Sequence, residues 1–347
     1  MDLLFFSRGR GRGHAIPDMA IMEGLQAISP GIAWQFVSYG TGGSTLVEFG
    51  HPVVDLGLPD ENPFFETLIK SSDIIRRESP RIVLCHEEFA AVIAARAFGV
   101  PVVWLDDWFL DERDLRMQAL KHVDSVIFMG EPGVFDEPSY LKGKIRYVGA
   151  VLREFRYHKQ DRQRARQELG IDNGVTVVSV MPGAWATEER ARIFDLLMPA
   201  FAALQRTRKL LCWIAGRDYA ALCARTKEVP DVRMLEAHWP TEQLIVASDL
   251  VITKGNRGTI QEAAELGVPS ISLSYGQNPI DEIIVSRIRS NLQLRVKGIN
   301  VDYLTKCMDD TLGSWKGRDE PERGATAVVS VAQALADEIQ KLGVRLL

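Results

Sequence analysis

The chain has 347 residues, of which 46% are hydrophobic and 25% charged, with a formal net charge of −5 at pH 7. These values exclude a disordered or fibrous polymer, and the acidic balance excludes a general attraction to nucleic acid or to an anionic membrane. A chain of this length usually buries two separate hydrophobic cores, so two domains are expected.

Residues 2–6 form a short apolar run, a glycine-rich turn follows, and Ile16, Met19, Ala20, Met22 and Leu25 lie at helical spacing, which reads as strand, loop, helix. The opening run is too short for a signal-peptide core, and no uncharged stretch is long enough to span a bilayer, so a cytoplasmic protein is expected. Further strands are predicted at 34–38, 52–56, 81–85, 100–105, 125–129 and 145–148, with helical segments such as 88–98 between them. That alternation argues for a parallel sheet covered on both faces. A polar, helix-prone stretch at 157–170 leads into a new strand at 175–180, a glycine loop at Pro182-Gly183 and a helix at 188–205. Strands at 209–215, 232–235, 250–253 and 270–273 complete a second doubly wound unit. The expected organisation is one domain over 1–155, a second over 156–330, and a terminal helix at 331–347 that can fold back on the first. Cys85, Cys212, Cys223 and Cys307 form no CxxC pair and the six histidines no HExxH spacing, so neither zinc nor disulfides are expected.

Residues 7–14 read SRGRGRGH, between the first strand and first helix, at the sheet edge where α/β proteins bind ligands. His14 stands where a dinucleotide fingerprint needs its third glycine, and no Lys-Ser/Thr follows to make a P-loop, so a dehydrogenase is disfavoured. Arg8, Arg10 and Arg12 read either as a solvated basic loop or as part of a ligand site. At a helix start, a histidine is a candidate base, because the helix N-terminus disfavours the imidazolium; a locally hydrogen-bonded His14 is the structural alternative.

Residues 247–282 read ASDLVITKGNRGTIQEAAELGVPSISLSYGQNPIDE, a strand, a glycine-bearing turn, a helix starting near Thr259 and another strand. The turn Lys254, Gly255, Asn256, Arg257, Gly258, Thr259 offers two cations, backbone N–H groups and a hydroxyl at a helix N-terminus, which suits a diphosphate. Glu262, placed on the first turn after it, suits the two hydroxyls of a ribose.

This stretch resembles the donor-binding signature of the GT-B glycosyltransferases, most closely the MurG-like branch. Lys254, Gly255, Thr259, Glu262, Gly267 and Pro269 carry the resemblance, and GxGH followed by Pro17 matches the opening of the same branch. It implies an α/β GT-B fold, two Rossmann-like doubly wound parallel-sheet domains facing a central cleft. It implies further that Glu262 holds the ribose, that the turn and Gly183 face the pyrophosphate, and that Gln277, Asn278, Asp281 and Glu282 reach the donor sugar. Glu282 stands where the family usually has glutamine. His238-Trp239-Pro240 resembles the segment that holds uracil, with an ordinary packed Trp239 as the alternative. The histidine lies on the acceptor side in these enzymes, which gives that role to His14 and the loop residues Arg10, Arg12 and Gly13. Acidic partners for His14 are expected from Glu87 and Glu88 or from Asp106 and Asp107, each pair otherwise a helix cap or exposed.

The activity implied is inverting transfer of a sugar, N-acetylhexosamine among the candidates, from a UDP-sugar to an acceptor hydroxyl. No metal or other cofactor is expected, since no DxD motif stands at a strand end. His14 would be the base, with Asp107 or Glu87 orienting it. The expected partners are a nucleotide-sugar donor and an unassigned acceptor, with no nucleic acid and at most peripheral membrane contact. Two alternatives stay open: a nucleotide-sugar hydrolase of the pseudaminic-acid-pathway type and a non-catalytic nucleotide-sugar binding protein.

Overall fold

A computed structural model describes residues 1–59, 64–109, 114–183, 187–227, 229–236, 238, 240–255, 257–276, 279–314, 325–326 and 328–344. In it Leu3–Ser7 is a strand, β1, with all five residues buried. There follow α1 (Ala15–Ile28), β2 (Trp34–Ser38), α2 (Gly40–Glu48), β3 (Val53–Asp55), α3 (Phe64–Glu78), β4 (Ile82–His86), α4 (Phe89–Ala97), β5 (Val102–Asp106), β6 (Ser125–Phe128), β7 (Ile145–Tyr147) and β8 (Ala150–Val151). The chain continues with α5 (Arg162–Glu168), β9 (Thr176–Met181), α6 (Thr187–Ala203), β10 (Lys209–Ile214), α7 (Tyr219–Thr226), β11 (Val232–Leu235), α8 (Thr241–Ala247), β12 (Leu250–Thr253), α9 (Arg257–Glu265) and β13 (Ser270–Ser274). It closes with α10 (Pro279–Val285), β14 (Asn291–Arg295), α11 (Val301–Ser314), β15 (Ala325–Thr326) and α12 (Val328–Lys341).

Two compact units result, Met1–Glu154 with Gly324–Leu347, and Phe155–Arg323. The last segment thus belongs with the first unit, and the second ends earlier than the 156–330 span read from the sequence. Among the described residues the first unit's sheet is ordered β3-β2-β1-β4-β5-β6-β7 and the second's β11-β10-β9-β12-β13-β14, with parallel neighbours throughout.

Alternation along β1 explains the layers of the first unit. Leu3 and Phe5 point into a cluster with Met19, Met22 and Leu25 of α1 and Val331, Leu335 and Ile339 of α12. Leu4 and Phe6 point the other way, into a cluster with Ile74 and Ile75 of α3 and Ala91 and Val92 of α4. A strand buried on both faces reads as a continuous apolar run. In the second unit Val178, Val180, Trp213, Ile252 and Leu273 meet Leu197 and Phe201 of α6 and Leu304 and Met308 of α11.

The order of each sheet decides where a site can form. Connections leave in opposite directions between β1 and β4, and between β9 and β12, so the loops at those strand ends diverge and open a crevice. The glycine loop before His14 and the residues after β4 share the first such point. Gly183 and the Lys254 turn share the second.

The helix-prone stretch at 157–170 holds a 3-10 turn at Lys159–Asp161 and then α5, and its arginines are used as anchors: Arg162 and Arg166 donate to the two oxygens of Asp249 at 2.7 and 2.8 Å. Asp249 also accepts from Val177 N at 2.9 Å, which ties the start of β12 to β9. The helix expected near Thr259 begins at Arg257, so Glu262 lies in its second turn and not its first. Strand β14 was not anticipated, since NLQLR is half polar, as befits a sheet edge. No helix among the described residues is long and apolar enough to cross a membrane.

Candidate active site

In the first unit the glycine loop is clamped against the start of α2. Gly42 N donates to Gly9 O at 2.6 Å, and a Cβ on Gly42 would stand 2.7 Å from Arg8 O. That close approach requires glycine at both positions and turns Arg8 inward, correcting the solvated-loop reading for this arginine: its guanidinium donates to Glu87 with its side chain 17% exposed. Arg12 remains outside, 2.7 Å from Glu48, with both side chains more than half exposed. Arg10 and Gly13 are exposed.

Glu87 follows β4 with φ of +52°, a left-handed conformation that costs a non-glycine residue about 1–2 kcal/mol. Its buried carboxylate lies at the switch point of the first sheet. There it accepts from Trp108 Nε1 at 2.5 Å and lies 3.2 Å from His14 Nε2. Burial alone would raise the Glu87 carboxyl, but His14, Arg8 and His86 outweigh it and hold the group well below the usual carboxylate range. Of the two orienting partners considered for His14, Glu87 is the one in contact.

Beneath this pair lies a group that the sequence did not single out. His86 and Asp18 are 2% and 0% exposed, with His86 Nδ1 2.6 Å from Asp18 Oδ1, and Ser7 Oγ donates to Asp18 Oδ2 at 2.5 Å. The His86 ring packs edge-on to that of His14, centroids 4.7 Å apart. Burial pulls the His86 imidazole down, yet the Asp18 carboxylate, with Glu87 and Asp107 behind it, raises it to about 9. A local signal existed: Asp18 stands four residues after His14, on the same side of α1.

The remaining acidic candidates divide by role. Glu88 accepts from the Tyr39 hydroxyl at 3.0 Å. Asp106 caps the chain after β5, accepting from Trp104 Nε1 at 2.7 Å and Asp107 N at 2.8 Å; burial and the charges of Glu87 and Asp107 push its carboxyl well above the ordinary value. One oxygen each of Glu87, Asp106 and Asp107 lie within 4.8 Å of one another, as do ligand-type atoms of His14, His86 and Glu87. Arg8, Trp108 and His14 already engage both oxygens of Glu87.

In the second unit Gly183, with φ of +56°, ends β9, and Gly255, with φ of +100°, makes the turn after β12. Lys254 Nζ lies 3.4 Å from Glu189 on α6. Arg257, Gly258 and Thr259 are the first three residues of α9, so their N–H groups have no acceptor within the helix. Half-buried Glu262 accepts from Thr241 Oγ1 at 3.4 Å, which brings it to the start of α8. Burial lowers the His238 imidazole despite Gln243 and Glu242 nearby. Glu282 accepts from Ser274 Oγ and, at 2.9 Å, from Arg295; these bonds hold its carboxyl below the ordinary value. Trp239, Asn256, Gln277 and Asn278 lie outside the described residues, as does the side chain of Asp281 in α10.

Two Rossmann-like units, each with its glycine loops gathered where the sheet order reverses, define an enzyme of the GT-B glycosyltransferase class, MurG-like branch. A family model described as lipid-A-disaccharide synthetase matches residues 100–333, and the chain belongs to that family. It is 25% identical over 297 residues to the UDP-N-acetylglucosamine-N-acetylmuramyl-(pentapeptide) pyrophosphoryl-undecaprenol N-acetylglucosamine transferase of Carboxydothermus hydrogenoformans, covering 79% of this chain and 78% of that one. It is 32% identical over 200 residues to the lipid-A-disaccharide synthase of Synechocystis sp., 54% of this chain and 47% of the relative. The crystal structure of Acinetobacter baumannii MurG superposes with a TM-score of 0.71 at 14% identity, covering 98% of this chain and 99% of that one.

Proposed function

We propose that this enzyme transfers a sugar, with N-acetylglucosamine the first to test, from UDP to an acceptor hydroxyl by single displacement with inversion and without a metal. The observation that carries the reading is the Lys254–Glu262 turn and helix at the switch point of the second sheet. UDP-N-acetylglucosamine enters from the names of relatives that align over most of the chain.

In this reading the pyrophosphate rests on the first turn of α9, where three N–H groups and the helix dipole favour an anion. Lys254 leaves Glu189 for a phosphate oxygen, and Glu262 exchanges the Thr241 hydroxyl for the ribose diol. The acceptor oxygen attacks the anomeric carbon, the bond to UDP breaks with its electron pair on the β-phosphate oxygen, and the hydroxyl proton passes to the His14 imidazole. Fixed N–H dipoles and Lys254 stabilise the charge that builds on UDP. Glu87 balances the imidazolium.

Release of UDP from a panel of UDP-sugars, measured with and without candidate acceptors, tests this. Release that depends on an acceptor is expected. Rapid release without one would make the enzyme a hydrolase, and no turnover under any condition would leave a binding protein.

A further inference from the structure

Two buried ring nitrogens in the first unit have no hydrogen-bond partner among the described residues: His14 Nδ1 and His86 Nε2. Their own second nitrogens are committed, His14 Nε2 to Glu87 and His86 Nδ1 to Asp18. The two rings lie edge-on with centroids 4.7 Å apart, so the His14 ring rests against that of His86. A carboxylate that binds one imidazole nitrogen fixes the tautomer and tilt of that ring. Asp18 is itself fixed by Ser7 from β1, so the arrangement is rigid from the strand outward.

We propose that His86, locked by Asp18 and Ser7, is a positioning residue for the transfer reaction, holding the His14 ring in the one orientation that keeps Nε2 on Glu87. The inference rests on His14 being the base. The charged groups around His86 are Asp18 on α1, Glu87 after β4 and Asp107 after β5, with Arg8 held on Glu87. Three anions face the ring, so His86 carries its proton through neutrality and loses it only in alkaline solution.

The test compares the wild-type enzyme with His86→Gln, Asp18→Asn and His14→Ala. His86→Gln and Asp18→Asn should each lower kcat by roughly 10- to 100-fold, as sub-ångström misplacement of a base does, with KM for the UDP-sugar unchanged. The alkaline fall of kcat near pH 9 in the wild type should vanish in His86→Gln. If His14→Ala abolishes turnover while His86→Gln keeps the wild-type kcat and pH profile, this inference fails alone. If turnover survives His14→Ala, the base assignment fails with it. Should the variants not fold, nitrogen-15 histidine spectra of the wild-type protein decide: a doubly protonated His86 is expected at pH 7, and a neutral His86 overturns the idea. Loss of wild-type activity to a chelator, restored by a divalent cation, would also overturn it, by making the two histidines ligands.

Discussion

His14 and Glu87, 73 positions apart in sequence, meet with Nε2 3.2 Å from the carboxylate because β1 and β4 are neighbours in the sheet and each ends at the same edge. If that carboxylate balances the imidazolium formed during transfer, Glu87→Gln should lower kcat by about 10²- to 10⁴-fold, the range for losing general-base assistance. Donor affinity should be unaltered if the donor is held as proposed, by residues of the Phe155–Arg323 unit. Steady-state kinetics with UDP release as readout checks both halves.

Stability should depend on pH through the same cluster. His86 is raised from 6.5 to about 9 in the folded protein, so its contribution is complete below pH 6.5 and is lost as pH climbs through 9. Glu87 is depressed from 4.5, so its contribution is present above that value and is lost on acidification toward its folded pKa. Thermal denaturation across pH should therefore show a plateau near pH 5 to 6.5 and an alkaline decline on the order of a few kcal/mol at most. In His86→Gln the alkaline decline should shrink; an identical decline would assign it elsewhere.

Gly42→Ala tests the clamp on the glycine loop. The new Cβ would meet Arg8 O at 2.7 Å and Gly9 Cα at 2.9 Å, both backbone atoms that cannot swing aside. A loss of about 1–3 kcal/mol is expected from such overpacking, together with reduced turnover as Arg8 and the start of α1 shift. Urea unfolding and kinetics of one preparation measure both.

Glu262→Ala should weaken UDP binding by about 1–3 kcal/mol if the carboxylate accepts the ribose hydroxyls. Isothermal titration with UDP checks it, and Thr241→Val serves as a control that removes the 3.4 Å contact seen without ligand while sparing the carboxylate.

Much of the fold is legible because strands buried on both faces read as apolar runs: 125–129 and 250–253 fall on β6 and β12, every residue of which is buried. The edge strand β14 escapes for the opposite reason, since its outward side chains can be polar. Lys254, Gly255 and Glu262 are readable because a turn and the helix after it are local in sequence. The contacts of His86 with Asp18 and of Arg8 with Glu87 are not, because they depend on β1 lying beside β4, a neighbour relation that no local pattern encodes. For the same reason the sequence could not decide between Glu87 and Asp107 as the partner of His14.

A crystal of the protein soaked with UDP tests the central claim most directly. The account predicts the pyrophosphate against the N–H groups of residues 257–259 at the start of α9, Lys254 turned from Glu189 toward it, and the ribose on Glu262. UDP bound elsewhere, or no density for it at millimolar concentration, would contradict the account.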